Sequence, residues 1–587
     1  MYPILTASAE NRQTIDVFGG YNHNLRIGDS EFYDMENLTS DVYPVFSPRK
    51  ARGLYREDVN VQGMIAKDSL CYVDGRYFVM NEYRVDMGLS TEEEDCPKQL
   101  ISMGAYVIIL PDKKYINTAD ITDYGAIEAE VTTTSPVTFT PCKMDGTTFE
   151  PKYIQPTQPK EPSNMDLWMD TSATPHSLRQ WSESTGMWTS IAVTYVKILC
   201  AGIGKAFREY DGVKISIPDG LTAATAEQLK ALDGAAIVYA RGDDYITVVG
   251  ILDAATTIEE AITVSRKMPK MDFVVENDNR LWGCRYGLNN DGEFVNELYA
   301  CKLGDFRNWQ CYMGISTDSY AVSLGSDGQF TGAITHSGYP VFFKENCMHK
   351  VYGQIPANFQ VQTTACRGVQ KGCCGSLAIV NEVLYYKSRH AICAYDGSLP
   401  TEISGALGDI QYEEAVAAAH GNKYYVCMKE TMSGKYTMLV FDTAKGLWHK
   451  EDGLQSVQLC SCREDLYCAC PDGKIITMLG SGDGYEQAVH WYAETGIINA
   501  SAPERVYLKR ISVRMVLEPG SDVTISAQYD SCGAWESLGF FTGTDLRSFT
   551  VPVRPRRCDH LRLRLEGTGK AMVFAITKSM SGGSDKP

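Results

Sequence analysis

The chain has 587 residues, 19 cysteines and a formal net charge of −18. This length exceeds one ordinary hydrophobic core and predicts roughly two to four domains. The acidic balance argues against tight binding to duplex nucleic acid, which relies on Lys and Arg to neutralise phosphates. The odd number of scattered cysteines argues against a disulfide framework and favours a reducing compartment. The sequence also predicts no secretory signal and no transmembrane span.

Residues 1–53 are predicted to form an extended N-terminal arm. The run IDVFGGYNHNLRIGDSEFYDMENLTSDVYPVFSPRKARG places isolated apolar residues among Gly, Pro and polar residues. Such a segment buries little surface by itself, so it must lie along another domain or another subunit. It is either a strap on its own domain or an assembly arm that reaches a neighbouring subunit.

Residues 54–131 and 270–480 are predicted to form the two parts of a β-propeller with about six to eight blades. Short apolar runs alternate with Gly, Asn and Asp, which is typical of strands joined by tight turns. About seven hairpin-like units recur at roughly forty-residue spacing, two before an interruption and five after it. A solenoid or a sandwich is the alternative. Trp282 and Trp309 fit the blade core better than a ligand site.

Residues 132–194 interrupt this pattern with a Thr- and Pro-rich linker and a small β module that carries Trp168, Trp181 and Trp188. These tryptophans either stack on sugar rings or form the core of the module. Residues 195–269 predict an α+β insertion. It has a helix in TAEQLKALDG, with Thr225 as N-cap, and a second helix in TTIEEAITVSRKM, before Pro269.

Residues 481–587 alternate apolar and polar residues over long strands and predict an antiparallel C-terminal β-sandwich with a polar tail. The run LRLRL places Arg562 and Arg564 on one strand face. This face is a solvated surface, a subunit contact that pairs with acidic residues elsewhere, or a surface that meets passing nucleic acid. The densest basic cluster of the chain comprises Arg554, Arg556, Arg557, Arg562 and Arg564.

Motifs for catalysis are missing from the sequence. None of the nine histidines lies in HExxH or HxH spacing, and no GxSxG, P-loop or strand-linked GxGxxG occurs. Ser326-Asp327-Gly328 lacks the tryptophan that follows in sialidase-type turns. The sequence therefore predicts no enzyme, no cofactor and no metal. The pairs Cys460-Ser-Cys462 and Cys468-Ala-Cys470 are either zinc ligands with unusually short spacing or small core residues.

Three stretches carry a resemblance to a known family. They are the arm motifs FGGYN (18–22), DMENLTSD (34–41), YP (43–44) and SPR (47–49), the blade motifs NRLWG (279–283), LGD (303–305) and VFFKE (341–345), and DLWMDTS (166–172) with its trailing tryptophans. With these motifs the chain resembles β-propeller structural proteins of the tails and head–tail connectors of tailed bacteriophages, including the nozzle proteins of short-tailed phages. The insertion at 132–268 departs from the nozzle proteins.

The resemblance implies a virion component without catalysis, either a tail nozzle or hub or a head–tail connector. Copies would form a homo-oligomeric ring lining or surrounding the DNA-exit channel, synthesised in the host bacterial cytoplasm. Its partners would be other tail or connector proteins, with transient contact to DNA during genome ejection and no sequence-specific binding. The alternative is a tail-tip adhesin that binds host glycans through the three tryptophans. Candidate subunit contacts are the five arginines above and Phe18, Tyr21, Asn37, Tyr43 and Arg49.

Overall fold

Seven four-stranded antiparallel sheets, the blades of a β-propeller, form the main body of the chain. The computed structural model describes residues 10–93, 97–134, 136–482, 484–498, 505–551, 553 and 556–582. Blades 1 and 2 precede a long insertion, and blades 3 to 7 follow it. The predicted fold, a mainly β chain with a propeller of about six to eight blades, is therefore confirmed.

Each blade except the last runs in chain order from an inner strand to an outer strand. The strands of blades 1 to 3 are Val61–Ala66, Leu70–Asp74, Tyr77–Met80 and Tyr83–Asp86; Gln99–Met103, Tyr106–Leu110, Lys114–Asn117 and Tyr124–Ala126; and Phe273–Asn277, Arg280–Leu288, Phe294–Ala300 and Tyr320–Ser323. Those of blades 4 and 5 are Phe330–His336, Tyr339–Lys344, Cys347–Tyr352 and Gln360–Ala365; and Ala378–Val380, Val383–Lys387, Ile392–Tyr395 and Thr401–Glu402. Those of blades 6 and 7 are Tyr412–His420, Lys423–Glu430, Tyr436–Asp442 and Leu447–Lys450; and Gln458–Cys462, Asp465–Ala469, Ile475–Thr477 and Gly53–Arg56.

The outer strand of blade 7 comes from the other end of the chain. Gly53–Arg56 pairs antiparallel with Ile475–Thr477, so the end of the N-terminal arm completes the last blade. Short alternating apolar runs predicted the strands of each blade, but a pairing across more than 400 residues leaves no local pattern in either partner.

Glutamine side chains join neighbouring blades. Gln458 of blade 7 accepts a hydrogen bond from the Met64 N–H of blade 1 at 2.6 Å and donates to the Met64 carbonyl at 2.9 Å. Gln99 of blade 2 does the same with Val274 of blade 3, at 3.1 Å and 2.6 Å. Because a carboxamide carries the same donor and acceptor as a peptide group, it satisfies backbone groups where the blades diverge.

Tight turns with left-handed backbone set the hairpins. Asp278 and Asn279 have φ of 52° and 57°, and the equivalent turn of blade 5, Asn381 and Glu382, has φ of 49° and 67°. Two consecutive positive φ values are typical of type I′ turns, whose twist matches that of the flanking strands. The Asn- and Asp-containing interruptions of the sequence therefore correspond to real hairpin turns.

The insertion between blades 2 and 3 contains two further sheets around its own core. Buried Phe139, Val196, Ile215, Ile246 and Val264 meet between them. In sheet order, the strands are Ala129–Thr132, Thr263–Arg266, Gly212–Ser216 and Gly234–Ile237, and Ala240–Gly242, Tyr245–Val249, Tyr195–Leu199, Val137–Cys142 and Thr256–Ile258. The tryptophan module interrupts the second sheet and has the strands Tyr153–Gln155, Leu167–Asp170, Ser177–Ser182 and Met187–Ser190.

Several predictions for this region are wrong. The predicted helix in TTIEEAITVSRKM is instead two separate strands, Thr256–Ile258 and Thr263–Arg266, which belong to different sheets. In the second of them, Val264 pairs with Val131 on one side and Ile215 on the other. Part of the predicted linker is the strand Val137–Cys142. The Thr and Pro residues around it conceal the alternation of buried and less buried side chains along this strand. The predicted helix in TAEQLKALDG exists as Ala223–Leu229, but its N-cap is Thr222 rather than Thr225.

The helical content of the described ranges is small. Besides Ala223–Leu229, it comprises the short 3₁₀ turns Ile203–Lys205, Lys230–Leu232, Pro356–Asn358, Cys374–Ser376 and Ser404–Leu407. None of these segments has the length and apolar character that a membrane crossing by a helix requires.

The C-terminal sheet combines the first and the last strands of the described residues. Its order is Glu10–Ile15, Ala571–Gly582, Val506–Tyr529, Leu561–Thr568, His490–Thr495 and Phe32–Glu36, with Glu536–Val551 and Arg557–Cys558 also paired to Val506–Tyr529. The arm supplies the first and last strands of this order, and the small hairpin Leu38–Thr39 and Ser47–Pro48 follows. Residues of the arm, the sheet and blades 4 to 6 share one hydrophobic core.

Candidate functional site

Aromatic side chains of the arm fill the space between blade 6 and the C-terminal sheet. The ring centroids of Phe18 and Phe46 lie 4.7 Å apart, and those of Phe46 and Trp491 lie 6.2 Å apart. The Tyr21 N–H donates to the Trp448 carbonyl of blade 6 at 2.7 Å. The preceding Gly20 has φ of 77°, and a Cβ there would lie 2.5 Å from the Trp448 oxygen, so only glycine permits this approach.

A buried cluster of five charges, which we call the latch, lies where the arm enters blade 7. It consists of Arg49, Arg52, Glu451, Asp452 and Glu486. Arg52 donates to Glu451 at 2.7 Å and to both Asp452 oxygens at 2.7 and 2.9 Å. Arg49 binds both Glu486 oxygens, at 2.7 and 3.0 Å, and Asp452 at 3.1 Å. The latch thus joins the arm, the end of blade 6 and the segment leading to the C-terminal sheet.

The latch combines two arginines with three carboxylates, and each side shifts the pKa of the other. Burial alone lowers the pKa of Arg52, but the carboxylates of Glu451 and Asp452 outweigh it and the net pKa shift is upward. Burial alone raises the pKa of Asp452, but Arg52 and Arg49 outweigh it and lower that pKa. Bidentate arginine–carboxylate pairs are the geometry in which a buried ion pair is most favourable. We conclude that the latch stabilises the ionised forms of Arg52 and Asp452.

Asn37 connects the latch to the C-terminal sheet. Its side-chain oxygen accepts from Arg49 Nε at 2.8 Å, and its side-chain nitrogen donates to the His490 carbonyl at 2.9 Å. Its φ of 57° lies in the left-handed region, which Asn tolerates better than most residues.

The predicted subunit contacts of the arm need correction. Phe18, Tyr21, Asn37 and Arg49 are buried within their own chain, because the arm folds onto the propeller and the C-terminal sheet as a strap. They offer no surface to a neighbour in this structure. Tyr43 alone of the five is exposed, with the Lys445 ammonium 5.9 Å from its ring centre.

Arg562 and Arg564 point to the outer face of the strand Leu561–Thr568, opposite the buried leucines, as the alternation predicted. Arg562 donates to Glu494 at 3.0 Å and lies 4.6 Å from the ring centre of Tyr33. Arg564 lies 4.3 Å from the ring centre of Tyr492. Both arginines are therefore neutralised or stacked within the chain, which corrects the expectation that their charge pairs with another subunit.

The remaining arginines of the basic cluster are dispersed. Arg556 is exposed and donates to Glu536 at 2.6 Å. Arg557 belongs to the short strand Arg557–Cys558, and Arg554 lies outside the described residues. Of the four arginines that the structure describes, Arg556 and Arg562 form ion pairs with acidic residues of the same chain.

The three tryptophans of the module pack on one another. The ring centroid of Trp188 lies 5.4 Å from that of Trp168 and 5.5 Å from that of Trp181. Trp168 is buried, and the guanidinium of Arg179 lies 5.3 Å from its ring centre. This arrangement fits the core of a small module, while Trp181 and Trp188 keep part of their surface accessible.

The cysteine pairs of blade 7 do not form a metal site. Leu459 pairs with Cys468 across the strands, and Cys460 pairs with Tyr467. Because neighbours on a strand point to opposite faces, Cys460 and Cys462 lie on one face of the sheet and Cys468 on the other. Within the described ranges, no group of three or more metal-binding side chains converges.

A cleft of about 450 Å³ opens between the arm and the turn that follows the inner strand of blade 6. Several of its charged groups have partners within the chain. The Lys423 ammonium donates to Asp41 at 2.5 Å and to Thr39 at 2.9 Å, and Ser40 donates to Asp442 at 2.6 Å. This cleft is polar and mixed in charge, and it contains no arrangement of groups specific to one reaction.

The contacts that sequence reasoning missed are those of Arg52, Glu451, Asp452 and Glu486. The sequence contains one weak signal for these contacts, which is the position of Arg52 at the end of the arm, a segment that we otherwise interpret as surface. The charged residues of the arm therefore contact their own chain, next to the last blade and the C-terminal sheet.

No family model matches the sequence, and no curated protein matches it either. Among solved structures, BamB from Moraxella catarrhalis is similar with 8% identity, covering 75% of this chain and 99% of that one, at a TM-score of 0.28. An exo-β-1,3-galactanase from Phanerochaete chrysosporium is similar with 9% identity over 52% of this chain and 94% of that one, at a TM-score of 0.21. A family 43 arabinoxylan arabinofuranohydrolase from Bacillus subtilis shares 8% identity over 53% and 94%, at a TM-score of 0.18.

These comparisons correct one prediction. The expectation that the chain is not an enzyme is contradicted, because the similar structures include glycoside hydrolases. At these identities and TM-scores the likeness assigns no activity or substrate to the chain.

Proposed function

We propose that this chain is a structural subunit of a tailed-phage virion. It would form part of a homo-oligomeric ring in a tail nozzle or hub or in a head–tail connector, around the channel through which DNA leaves. It would contact other tail or connector proteins and, transiently, the exiting DNA.

The observation that carries the proposal is the position of the arm. The segment with the resemblance to tail and connector proteins, residues 18–49, joins blade 6 to the C-terminal sheet and leads into the strand Gly53–Arg56 that completes blade 7. The buried latch and the aromatic contacts fix these parts to each other. A ring subunit must keep its domains in a constant relation while DNA moves past them, and this construction supports that requirement.

Charge also supports the proposal. A net charge of −18 would repel the phosphates of DNA and limit adhesion to the channel wall. The basic cluster does not reverse this, since Arg556, Arg562 and Arg564 are engaged by acidic or aromatic side chains of the same chain.

The test is electron microscopy and multi-angle light scattering of the purified full-length protein, with immunogold labelling of phage particles by an antibody against it. We expect ring-shaped oligomers and labelling at the tail or the portal vertex. Protein without rings at any concentration, together with unlabelled particles, would refute the proposal.

A further inference from the structure

A pocket of about 320 Å³ opens between blades 3 and 4, at the end of these blades where a turn joins their first two strands. Blade 3 contributes Arg280 and the buried Trp282, and blade 4 contributes Pro340, Val351 and Phe359. Small-molecule sites have volumes of about 300–1,000 Å³, so this pocket has room for a ligand with a single ring.

Arg280 lines this pocket although the residue is only 2% exposed. Its Nη1 donates to the carbonyls of Cys301 and Asp318, at 2.8 and 2.5 Å, and its Nη2 donates to the Ser316 carbonyl at 2.9 Å. A guanidinium has five N–H donors, so one on Nε and one on Nη2 have no hydrogen-bond partner among the described residues. Nε and Nη2 form one edge of the guanidinium, and such an edge binds a carboxylate through two parallel hydrogen bonds.

The positive charge of Arg280 forms no ion pair within the described part of the chain. The acid that acts on it is Asp318, whose Oδ2 already accepts the backbone N–H groups of residues 313–315, at 2.6, 2.6 and 3.1 Å. Burial without a counter-charge is unfavourable for a cation, and it lowers the pKa of Arg280. An anion bound in the pocket would supply the missing counter-charge.

The walls of the pocket indicate which kind of anion fits. The ring centroid of Phe359 lies 5.7 Å from the guanidinium carbon of Arg280, so an apolar surface stands beside the cation. Asn277, Asp278 and Gln354 complete the lining with groups that can hydrogen-bond to hydroxyls. Because the Asp278 carboxylate repels a second negative charge, this lining favours one carboxylate on a hydroxylated ring over a phosphate dianion.

We infer that this pocket binds an acidic sugar of the hexuronate type, with its carboxylate on Nε and Nη2 of Arg280 and its ring against Phe359. The pocket belongs to a single chain, so the inference goes beyond the proposed ring and does not depend on it. It is also separate from the tryptophan module, so Trp181→Ala should leave this binding unchanged.

A matched pair of ligands tests the role of the charge. Isothermal titration calorimetry of the purified full-length protein would compare D-glucuronate with D-glucuronamide, in which a neutral carboxamide replaces the carboxylate. We expect saturable binding of one glucuronate per chain, and binding of glucuronamide that is weaker by about tenfold or more, since hydrogen bonds between charged groups are roughly twice as strong as neutral ones.

A matched pair of variants tests the location. Leu303 lines the pocket and is 42% exposed, so Leu303→Trp should fill the space without disturbing the core and weaken glucuronate binding by about tenfold or more. Leu399→Trp is the same change at a leucine of blade 5 that is 59% exposed, and this control should bind as the unmodified chain does.

Arg280→Lys tests the guanidinium itself, because lysine keeps the charge but offers no planar edge to a carboxylate. We expect this variant, with its fold checked by circular dichroism, to bind glucuronate about tenfold more weakly. Absence of saturable glucuronate binding, equal affinity for glucuronamide, or unchanged affinity of the Leu303→Trp variant would each overturn the inference.

Discussion

Substitution of Arg52 by Met tests whether the latch holds blade 7 closed. The Arg52 side chain is 1% exposed and contacts Glu451 and Asp452, so its removal leaves a carboxylate that is 8% exposed with a weaker partner. Removing one member of a buried ion pair destabilises a protein by about 3–5 kcal/mol. Because Arg49 remains 3.6 Å from Glu451, we expect the lower end, about 3 kcal/mol.

Hydrogen exchange measures this effect where it acts. The outer strand Gly53–Arg56 directly follows Arg52, so its amides should exchange roughly 100-fold faster in the variant, since about 1.4 kcal/mol corresponds to a factor of ten. Amides of the insertion, which has its own core, should be unaffected.

Two further variants make the test specific. Arg56→Met is the same chemical change at an exposed position of the same strand, and we expect a change within about 0.5 kcal/mol. Adding Glu451→Gln to Arg52→Met removes the carboxylate left without its partner and should recover part of the loss. If Arg52→Met and Arg56→Met accelerate exchange equally, the latch does not hold the blade.

Three other predictions concern separate parts of the chain. Burial lowers the pKa of His449 to about 4, against about 6.5 in the unfolded chain, so the unfolded chain binds a proton first as the pH falls. The contribution of His449 to the free energy of unfolding is therefore complete above about pH 6.5 and falls by about 3 kcal/mol toward pH 4. His449→Phe should flatten this part of the pH profile measured by urea unfolding, and an unchanged slope would contradict the role given to His449. Gln458→Ala leaves the N–H and carbonyl of Met64 without their side-chain partner and should lower the free energy of unfolding in urea by about 2 kcal/mol, whereas a loss below about 0.5 kcal/mol would show that these two hydrogen bonds between blades 7 and 1 are dispensable. Trp181→Ala should leave the binding profile on a glycan array unchanged, and loss of a bound sugar would favour the adhesin alternative.

The repeated blades were predictable because their information is local. A hairpin such as the one at Asp278 and Asn279 has its turn residues and both strands within about twenty residues, and its left-handed backbone requires particular residue types. The same reasoning failed for Thr263–Arg266. There the deciding contacts come from Ala129–Thr132 and Gly212–Ser216, which are distant in sequence and override a helix-like pattern.

Sequence reasoning identified the arm but left its role open. An isolated apolar residue such as Phe18 looks the same whether it packs on its own chain or on a neighbour. The latch was beyond reach for a related reason, since Arg52 and Glu451 are separated by 399 residues and neither lies in a motif. Burial of an arginine depends on the whole fold, because only a completed cluster of carboxylates makes it favourable.

Closure of the propeller and attachment of the C-terminal sheet depend on the same segment. The arm begins as an edge strand of that sheet, crosses blade 6 and ends as the outer strand of blade 7. Blade 7 is therefore incomplete until the arm is in place, and Glu486, at the start of the C-terminal segment, binds Arg49 of the arm. Because the latch connects Arg52, next to the outer strand of blade 7, with Arg49 and Glu486, next to the C-terminal sheet, we expect a substitution in the latch to loosen both blade 7 and the edge strand Phe32–Glu36.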